Sequence, residues 1–415
     1  MHNGSQTALL IALLGATLFA ADSNAQQNDP LQEWPQWVQD AMQKESRRTK
    51  MRKVKTPDDS VHTKLPGKLS QLQEIEAGWY FQSDIGAESP LECYLFTEGQ
   101  DVATLTNLMA EENIKAVAAN NNSTVDNRRI LDIQGGAIEG VPYLALEWIY
   151  TIKNESQTAV GFTKVRAASK GDVGYACAHN YLGYRETFAK IFSEFVASTE
   201  YEDATVEPYY EEIASMDFAG RGAGLAYSAF STDEDGDIKM YVAEAAITPV
   251  DAETIVASDS VQVVYSTQDG EMINAVDVTV ENGEIVSNLS LQTNDAGNWV
   301  SSGTLQGKNI EYEIDGTESP ATTIEQIQKT RELFAGDESS VTMGVWVPSA
   351  DPTRFLPAEI VRDDAEKERQ AILTIGPLRF LGQFDQDGSM MNAEMYIGPV
   401  TINIERIWSR GSLVQ

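Results

Sequence analysis

The chain has little of what most nucleophilic and metal sites are made from. Its 415 residues include two cysteines, Cys93 and Cys177, and three histidines. A structural zinc site normally takes four ligands. Cys177-Ala178-His179 puts two ligand types on one face of a strand, but only Cys93 and the linker residue His62 could join them downstream of the N-terminal apolar run. A nucleophilic triad needs a base, usually histidine. His179 is the one histidine of the folded body, and no Gly-x-Ser-x-Gly elbow accompanies it. No catalytic residue, metal ligand or cofactor site is therefore assigned.

Basic residues are also scarce. Thirty Lys and Arg stand against 63 Asp and Glu, for a net charge of −33. The imbalance is uneven: residues 26–70 carry nine basic and six acidic side chains, and the acidic excess lies from residue 71 onward. An acidic body repels phosphate backbones, which excludes nucleic acid as its partner.

Long apolar runs are missing after residue 21. The uncharged run 8–21 is shorter than the roughly 20 residues of a membrane-spanning helix and has the length of an export signal. Ser23-Asn24-Ala25 supplies small residues where a signal peptidase inspects the chain, although the preceding segment holds His2 and no Lys or Arg. Cleavage after Ala25 makes residues 1–25 a signal peptide and the protein periplasmic or extracellular. No cysteine follows the run, which argues against a lipoprotein anchor. In an exported chain, two cysteines are expected to bond to each other.

Residues 26–70 read as an amphipathic helix followed by a basic linker. Pro35 suits a first helical position, and Trp37, Val38, Ala41 and Met42 form an apolar stripe, extended upstream by Leu31 and Trp34. The run Arg47, Arg48, Lys50, Arg52, Lys53 and Lys55 follows, and 56–68, with Pro57, Pro66 and Gly67, reads as linker. Trp34, Trp37, Arg47, Arg48, Lys50, Arg52 and Lys53 are candidates for contact with a partner or an anionic membrane surface, unless the helix docks on its own body.

Residues 71–200 read as an α+β domain, an antiparallel sheet with covering helices. Strands are expected at 78–85, 91–96, 143–152, 159–167 and 172–179, with a helix from Asp101 to about Glu112 and a polar loop at 120–127. Phe188, Ile191, Phe192, Phe195 and Val196 repeat at helical spacing and predict a helix that covers one sheet face. This order of elements resembles in outline the PsbP type of small α+β domain, with no motif that carries functional residues across.

An acidic linker at 201–212 leads to a mainly antiparallel β domain, 213–415, read as a curled sheet or open barrel wrapping one helix at 320–334. Asp235-Gly236, Asp269-Gly270, Asn282-Gly283 and Asp387-Gly388 sit between alternating runs, the hairpin signature. Ile375-Gly376-Pro377 and Ile397-Gly398-Pro399 read as a repeated corner at strand starts. Val276, Val278, Val400, Ile402 and Ile404 alternate and are candidates for the ligand-facing interior.

Two motifs fail their templates. Gly220-Arg221-Gly222-Ala223-Gly224 has Leu225 where a dinucleotide loop needs glycine, and reads as a flexible entry to the β domain. Asp233, Asp235, Asp237 and Glu244 have calcium-loop spacing, but Ile238 stands where that loop turns on glycine.

These features favour an exported, non-catalytic envelope protein that binds an apolar small molecule or an envelope protein through its β-rich domain. A structural or assembly factor acting through the N-terminal helix, or a carboxylate-dependent hydrolase, are the alternatives. N-terminal sequencing of the exported protein is expected to start at Gln26, and an intact Met1 contradicts cleavage.

Overall fold

In the computed structural model the strand-forming stretches of the chain make three antiparallel sheets, the smallest of them built mainly from residues before 78. The structure describes residues 34–46, 50–201, 207–218, 222–314, 319–363, 368–397 and 400–413; the expected export signal lies outside them. The described residues fall into two compact units, one within Asn24–Thr205 and Pro249–Ile255, the other within Val206–Thr248 and Val256–Gln415.

The first unit runs α1 (Gln36–Met42), β1 (Met51–Lys55), β2 (Val61–Pro66), β3 (Lys68–Ile75), β4 (Gly78–Asp84), β5 (Leu91–Phe96), α2 (Val102–Asn120), β6 (Thr124–Ile138), β7 (Val141–Lys153), β8 (Thr158–Lys170), β9 (Val173–His179), α3 (Arg185–Ser198) and β10 (Glu200–Tyr201). The order β3-β4-β5-β9-β8-β7-β6 makes a seven-stranded sheet, and β1-β2-β10 a small one. On β8, residues 162–168 are buried without a break, so both sheet faces are covered there. Helix α2 packs along β7 and β8. The phenylalanine stripe of α3 buries against Phe81, Tyr175 and the face carrying the cysteines.

Cys93 and Cys177 are directly opposed on β5 and β9, with Cα atoms 4.1 Å apart, and form a disulfide. A carboxylate just beyond α1 ties that segment to α3. Tyr184 ends the approach to α3 in a left-handed conformation, φ 59°, and its side chain caps nothing. Glu45, just beyond α1, takes that role by accepting from the N–H groups of Glu186 at 3.1 Å and Thr187 at 2.8 Å. A carboxylate at a helix N-terminus satisfies orphan donors and meets the positive end of the dipole.

Three expectations need correction. The linker at 56–68 contains β2, and the basic run contains β1, because Met51, Val54, Val61 and Leu65 reach the core of the first unit while the intervening side chains stay outside. Helix α2 extends to Asn120, since Ala110, Ile114 and Ala118 continue its buried face. Strand β6 was expected as loop at its start and went unrecognised beyond it. It is a polar outer strand whose alternation is broken by register shifts at Asp126/Arg128 and Ile130/Asp132.

The second unit runs β11 (Tyr210–Phe218), β12 (Ala223–Thr232), β13 (Ile238–Pro249), β14 (Ile255–Ser266), β15 (Met272–Glu281), β16 (Glu284–Thr293), β17 (Trp299–Leu305), β18 (Lys308–Ile314), α4 (Thr323–Ala335), β19 (Ser340–Val345), β20 (Leu356–Arg362), β21 (Gln370–Ile375), β22 (Leu378–Phe384), β23 (Met390–Ile397) and β24 (Val400–Gly411). These 14 strands form one antiparallel sheet, with β24 beside β11 and with β18 and β19 at its two ends. The expected turns form as read: Asn282 and Gly283 both take positive φ, 50° and 86°, as a two-residue hairpin requires.

The sheet is open, yet it bends round α4. The Thr322 hydroxyl, which also caps α4 by accepting from the Glu325 N–H, donates to the Gly270 carbonyl between β14 and β15. Gly388, between β22 and β23, lies so close to α4 that a Cβ there would come within 2.6 Å of the Ile327 carbonyl. Near the opposite sheet ends, the rings of Trp299 and Phe355 stand 6.3 Å apart. Ala321, Leu333 and Phe334 fill the interior against β19–β24, while Ile324 packs on the cluster around Met240, Leu289 and Trp299.

The disulfide closes a loop of 84 residues. Its reduction is expected to destabilise the first unit by about 4 to 5 kcal/mol in the chain-entropy picture. Calorimetry with and without reductant should lower one transition and leave the second unit's unchanged; an unshifted first-unit transition contradicts this.

Candidate ligand-binding site

Two hollows in the second unit are built on α4. The first is a cavity of about 50 Å³ at the N-terminal end of the helix, lined by Glu244, Ser260, Gln262, Asp277, Gln326 and Trp346. Strand pairing brings the polar residues together: Gln262 opposes Asp277 across β14 and β15, and Ser260 opposes Thr279. The Ser260 hydroxyl donates to Glu244 at 3.3 Å. Further along β11, Glu212 accepts from the Tyr210 hydroxyl at 2.8 Å.

Asp277 is fully buried. Its Oδ2 accepts a long bond, 3.4 Å, from Gln262 Nε2, and Oδ1 has no partner among the described residues. Desolvation pushes its carboxyl up to about 6, against a weaker lowering by Gln262. The Trp346 indole N–H and the Ser349 hydroxyl, which line the same cavity, are likewise unpartnered among the described residues. The cavity thus offers donors and an acceptor in a space of a few water molecules. Organic ligands need about 300 to 1,000 Å³, so it does not admit the sugar ring that paired carboxylates would hydrolyse.

The second hollow is larger, about 400 Å³. Ile238, Ile324, Ile327 and Leu413 give it apolar walls, and Gln268, Gln328 and Arg331 stand at its polar side. Its position follows from helix periodicity: Ile324 and Ile327 point inward from α4, while Gln328 and Arg331, one position further round, mark where the helix leaves the sheet. Gly236 between β12 and β13 and Asp387 between β22 and β23 close it from the sheet side.

The residues expected to face a ligand line neither hollow. Val276 is 39% exposed and Val278 half-buried, whereas Ala275, Asp277 and Thr279 are buried, so β15 presents the opposite face to the interior. Ile402 and Ile404 are buried in the core with Phe380 and Met395. The side chain of Val400 lies outside the described residues. What marked the interior row was the buried polar pattern of β13–β15, which a search for apolar alternation passes over.

The candidates for outside contact also separate. Trp34 is buried with Val38 and Met42 against Ile149 and Phe162, which removes it from any contact surface and docks α1 on its own unit. Trp37 remains 56% exposed, and Lys50, Arg52 and Lys53 are exposed. Arg47 and Arg48 lie outside the described residues. The aspartate triplet is a hairpin tip: Asp233 Oδ1 accepts from the N–H groups of Asp235 and Asp237 at 3.0 and 2.9 Å, while Glu244 faces the interior cavity. Among the described residues no cluster of His, Cys, Asp or Glu has metal-site geometry. His179 is buried, bonds the Ser89 carbonyl at 3.3 Å, and is pushed down to about 3, mainly by desolvation and then by Lys164.

No protein family matches the sequence, and no curated protein does. Among solved structures, the chain is similar to a β-barrel-like protein of the domain of unknown function DUF1849 from Brucella abortus, at a TM-score of 0.38 and 12% identity over 50% of this chain and 98% of that one. It is also similar to a DUF1089 family protein from Pseudomonas aeruginosa, at a TM-score of 0.22 and 14% identity over 48% and 95% of the two chains.

Asp277 and His179 give the two units opposite responses to pH. The unfolded chain releases the Asp277 proton near its usual 3.8, the folded one near 6, so this group weakens the second unit as pH rises through that window. Asp277→Asn is expected to raise the unit's stability at pH 7.5 by roughly 1 to 3 kcal/mol and to flatten its pH dependence between about 4 and 6. The unfolded state instead gains the His179 proton below 6.5, so the first unit weakens as pH falls. Thermal melts from pH 4 to 8 check both; an Asp277→Asn variant less stable than wild type at pH 7.5 contradicts the first.

Proposed function

We propose that the chain is an exported, non-catalytic protein of the cell envelope whose second, β-rich unit binds an apolar small molecule in the hollow beside α4. The observation that carries this reading is the 400 Å³ hollow, walled by Ile238, Ile324, Ile327 and Leu413 and bordered on one side by Gln268, Gln328 and Arg331. An apolar body on the isoleucines gains by leaving water, and a polar end meets donors at the rim. The small cavity supports binding over catalysis, because Glu244 and Asp277 face a space of only about 50 Å³.

Export is supported by the disulfide, which persists in oxidising compartments, together with the apolar run 8–21. No helix among the described residues is long and apolar enough to cross a membrane. In this reading, Lys50 just before β1, together with Arg52 and Lys53 on it, provides salt-sensitive attraction to an anionic surface or an acidic envelope protein.

Gln328→Trp is the direct test, because it fills the hollow from a half-buried position without removing core atoms. Titration with the apolar dye 1-anilinonaphthalene-8-sulfonate is expected to show saturable binding to the wild-type chain, weakened about tenfold or more by the substitution at unchanged melting temperature. Equal dye binding by both proteins contradicts the assignment.

A further inference from the structure

We infer that the open edge of β8 in the first unit is a strand-addition site for an extended, proline-free segment of a partner protein. The edge arises from a mismatch in strand length. β7 pairs with β8 along its whole length, from Lys153↔Thr158 to Tyr143↔Ala168, but β9 pairs with β8 only from His179↔Lys164 onward. Residues 158–163 therefore have one strand neighbour. In an antiparallel ladder, alternate residues turn their N–H and C=O groups to each side, so this stretch presents a backbone row on its second side.

The chain leaves β9 and is held away from that row. Lys164, fully buried, donates from Nζ to the carbonyls of Tyr181 at 2.7 Å and Gly183 at 2.8 Å. Thr163 donates to Asn180 Oδ1 at 3.0 Å, and Asn180 donates in turn to Asn113 on α2. The left-handed Tyr184 is fixed by its N–H bond to the Lys44 carbonyl, 2.6 Å, at the end of α1. A groove of about 580 Å³ remains along the edge, with Trp37 and Ala41 of α1 on one wall, Val117 of α2 on another, and Ile152, Val160 and Leu182 as apolar floor.

The outer strands of the same sheet are protected against pairing, and this edge is not. β6 carries Arg128, Arg129 and Asp132 with two register shifts, and β3 carries Glu74 and a shift between Leu69 and Gln71. Charges and bulges of this kind block edge-to-edge association. Thr158, Ala159, Val160, Gly161, Phe162 and Thr163 include no charge, no proline and no bulge. Only a second backbone matches the spacing of the exposed row, which identifies the occupant as an extended peptide whose alternate side chains, small and apolar, enter the groove. The chain's own residues 26–33 suit it poorly, with Pro30 lacking a donor and Leu31 as their one large apolar side chain.

The probe is the blocked peptide acetyl-Lys-Thr-Val-Thr-Val-Thr-Val-Lys-amide, added to the full chain. Hydrogen exchange of the amides in 158–163 that point away from β7 is expected to slow with peptide, Trp37 fluorescence to shift, and affinity to fall about tenfold or more when alternate peptide nitrogens are methylated or when the exposed Ala159→Lys substitution is made. Equal binding of the methylated peptide overturns the proposal, as does no binding at millimolar concentration. Protection without peptide of the alternate amides that point away from β7 also overturns it, since those that bond β7 are protected in any case: concentration-independent protection of the outward amides assigns the edge to the chain itself, and protection that grows with protein concentration assigns it to a second copy. None of these results depends on the hollow beside α4.

Discussion

The inner face of a 14-stranded sheet must be covered, and in the second unit the covering body is a single helix. α4 lies in sequence between β18 and β19, the two ends of the sheet, and it touches turns that are far apart in strand order. The sheet can bury its apolar row only by bending round that helix, a larger gain than flat strands with one wet face could provide. A straight helix inside a bent sheet fills the space unevenly. The tight side holds Leu333 and Phe334 against β19–β24; the other side keeps the small polar cavity at one end and the apolar hollow along the flank. Both hollows are consequences of that packing.

The first unit depends on different chemistry. Its helices are tied by ionic and polar groups: the exposed Glu45 at the start of α3, the half-buried Arg185 between Glu147 and Asp132, and the buried Lys164 on two carbonyls. Burial moves the Lys164 ammonium below its usual range and the Glu147 carboxyl above its own, with Arg185 opposing the latter shift. Such groups define geometry more than they add stability, since their desolvation offsets most of the Coulombic gain. Here the geometry they define is the divergence of the chain after β9, which leaves the β8 edge accessible.

How far the sequence could be read depended on whether the local signal was unique. Asn282-Gly283 admits one turn type, the Phe188-to-Val196 stripe admits one helix face, and two cysteines admit one pairing; each is found in the structure. β15 is different, because a period of two fits either face equally well. Apolarity selects Val276 and Val278 as interior, but the sheet turns Ala275, Asp277 and Thr279 inward, and the register shift at Thr279/Val280 then buries Val280 as well. β6 was hidden by polar side chains on an outer strand. β2 was hidden by Lys64 and by Pro66, which sits at its last position. The hollow itself was not readable, because its walls come from β13, α4 and the residues after β24, more than 70 residues apart along the chain.

The central claim is that the space beside α4 holds a small molecule. Native mass spectrometry of the full chain purified from its own host measures this most directly. The account predicts a bound species of small-molecule mass that is lost in Gln328→Trp. Wild-type protein carrying only its polypeptide mass, or an adduct retained by Gln328→Trp, would contradict it.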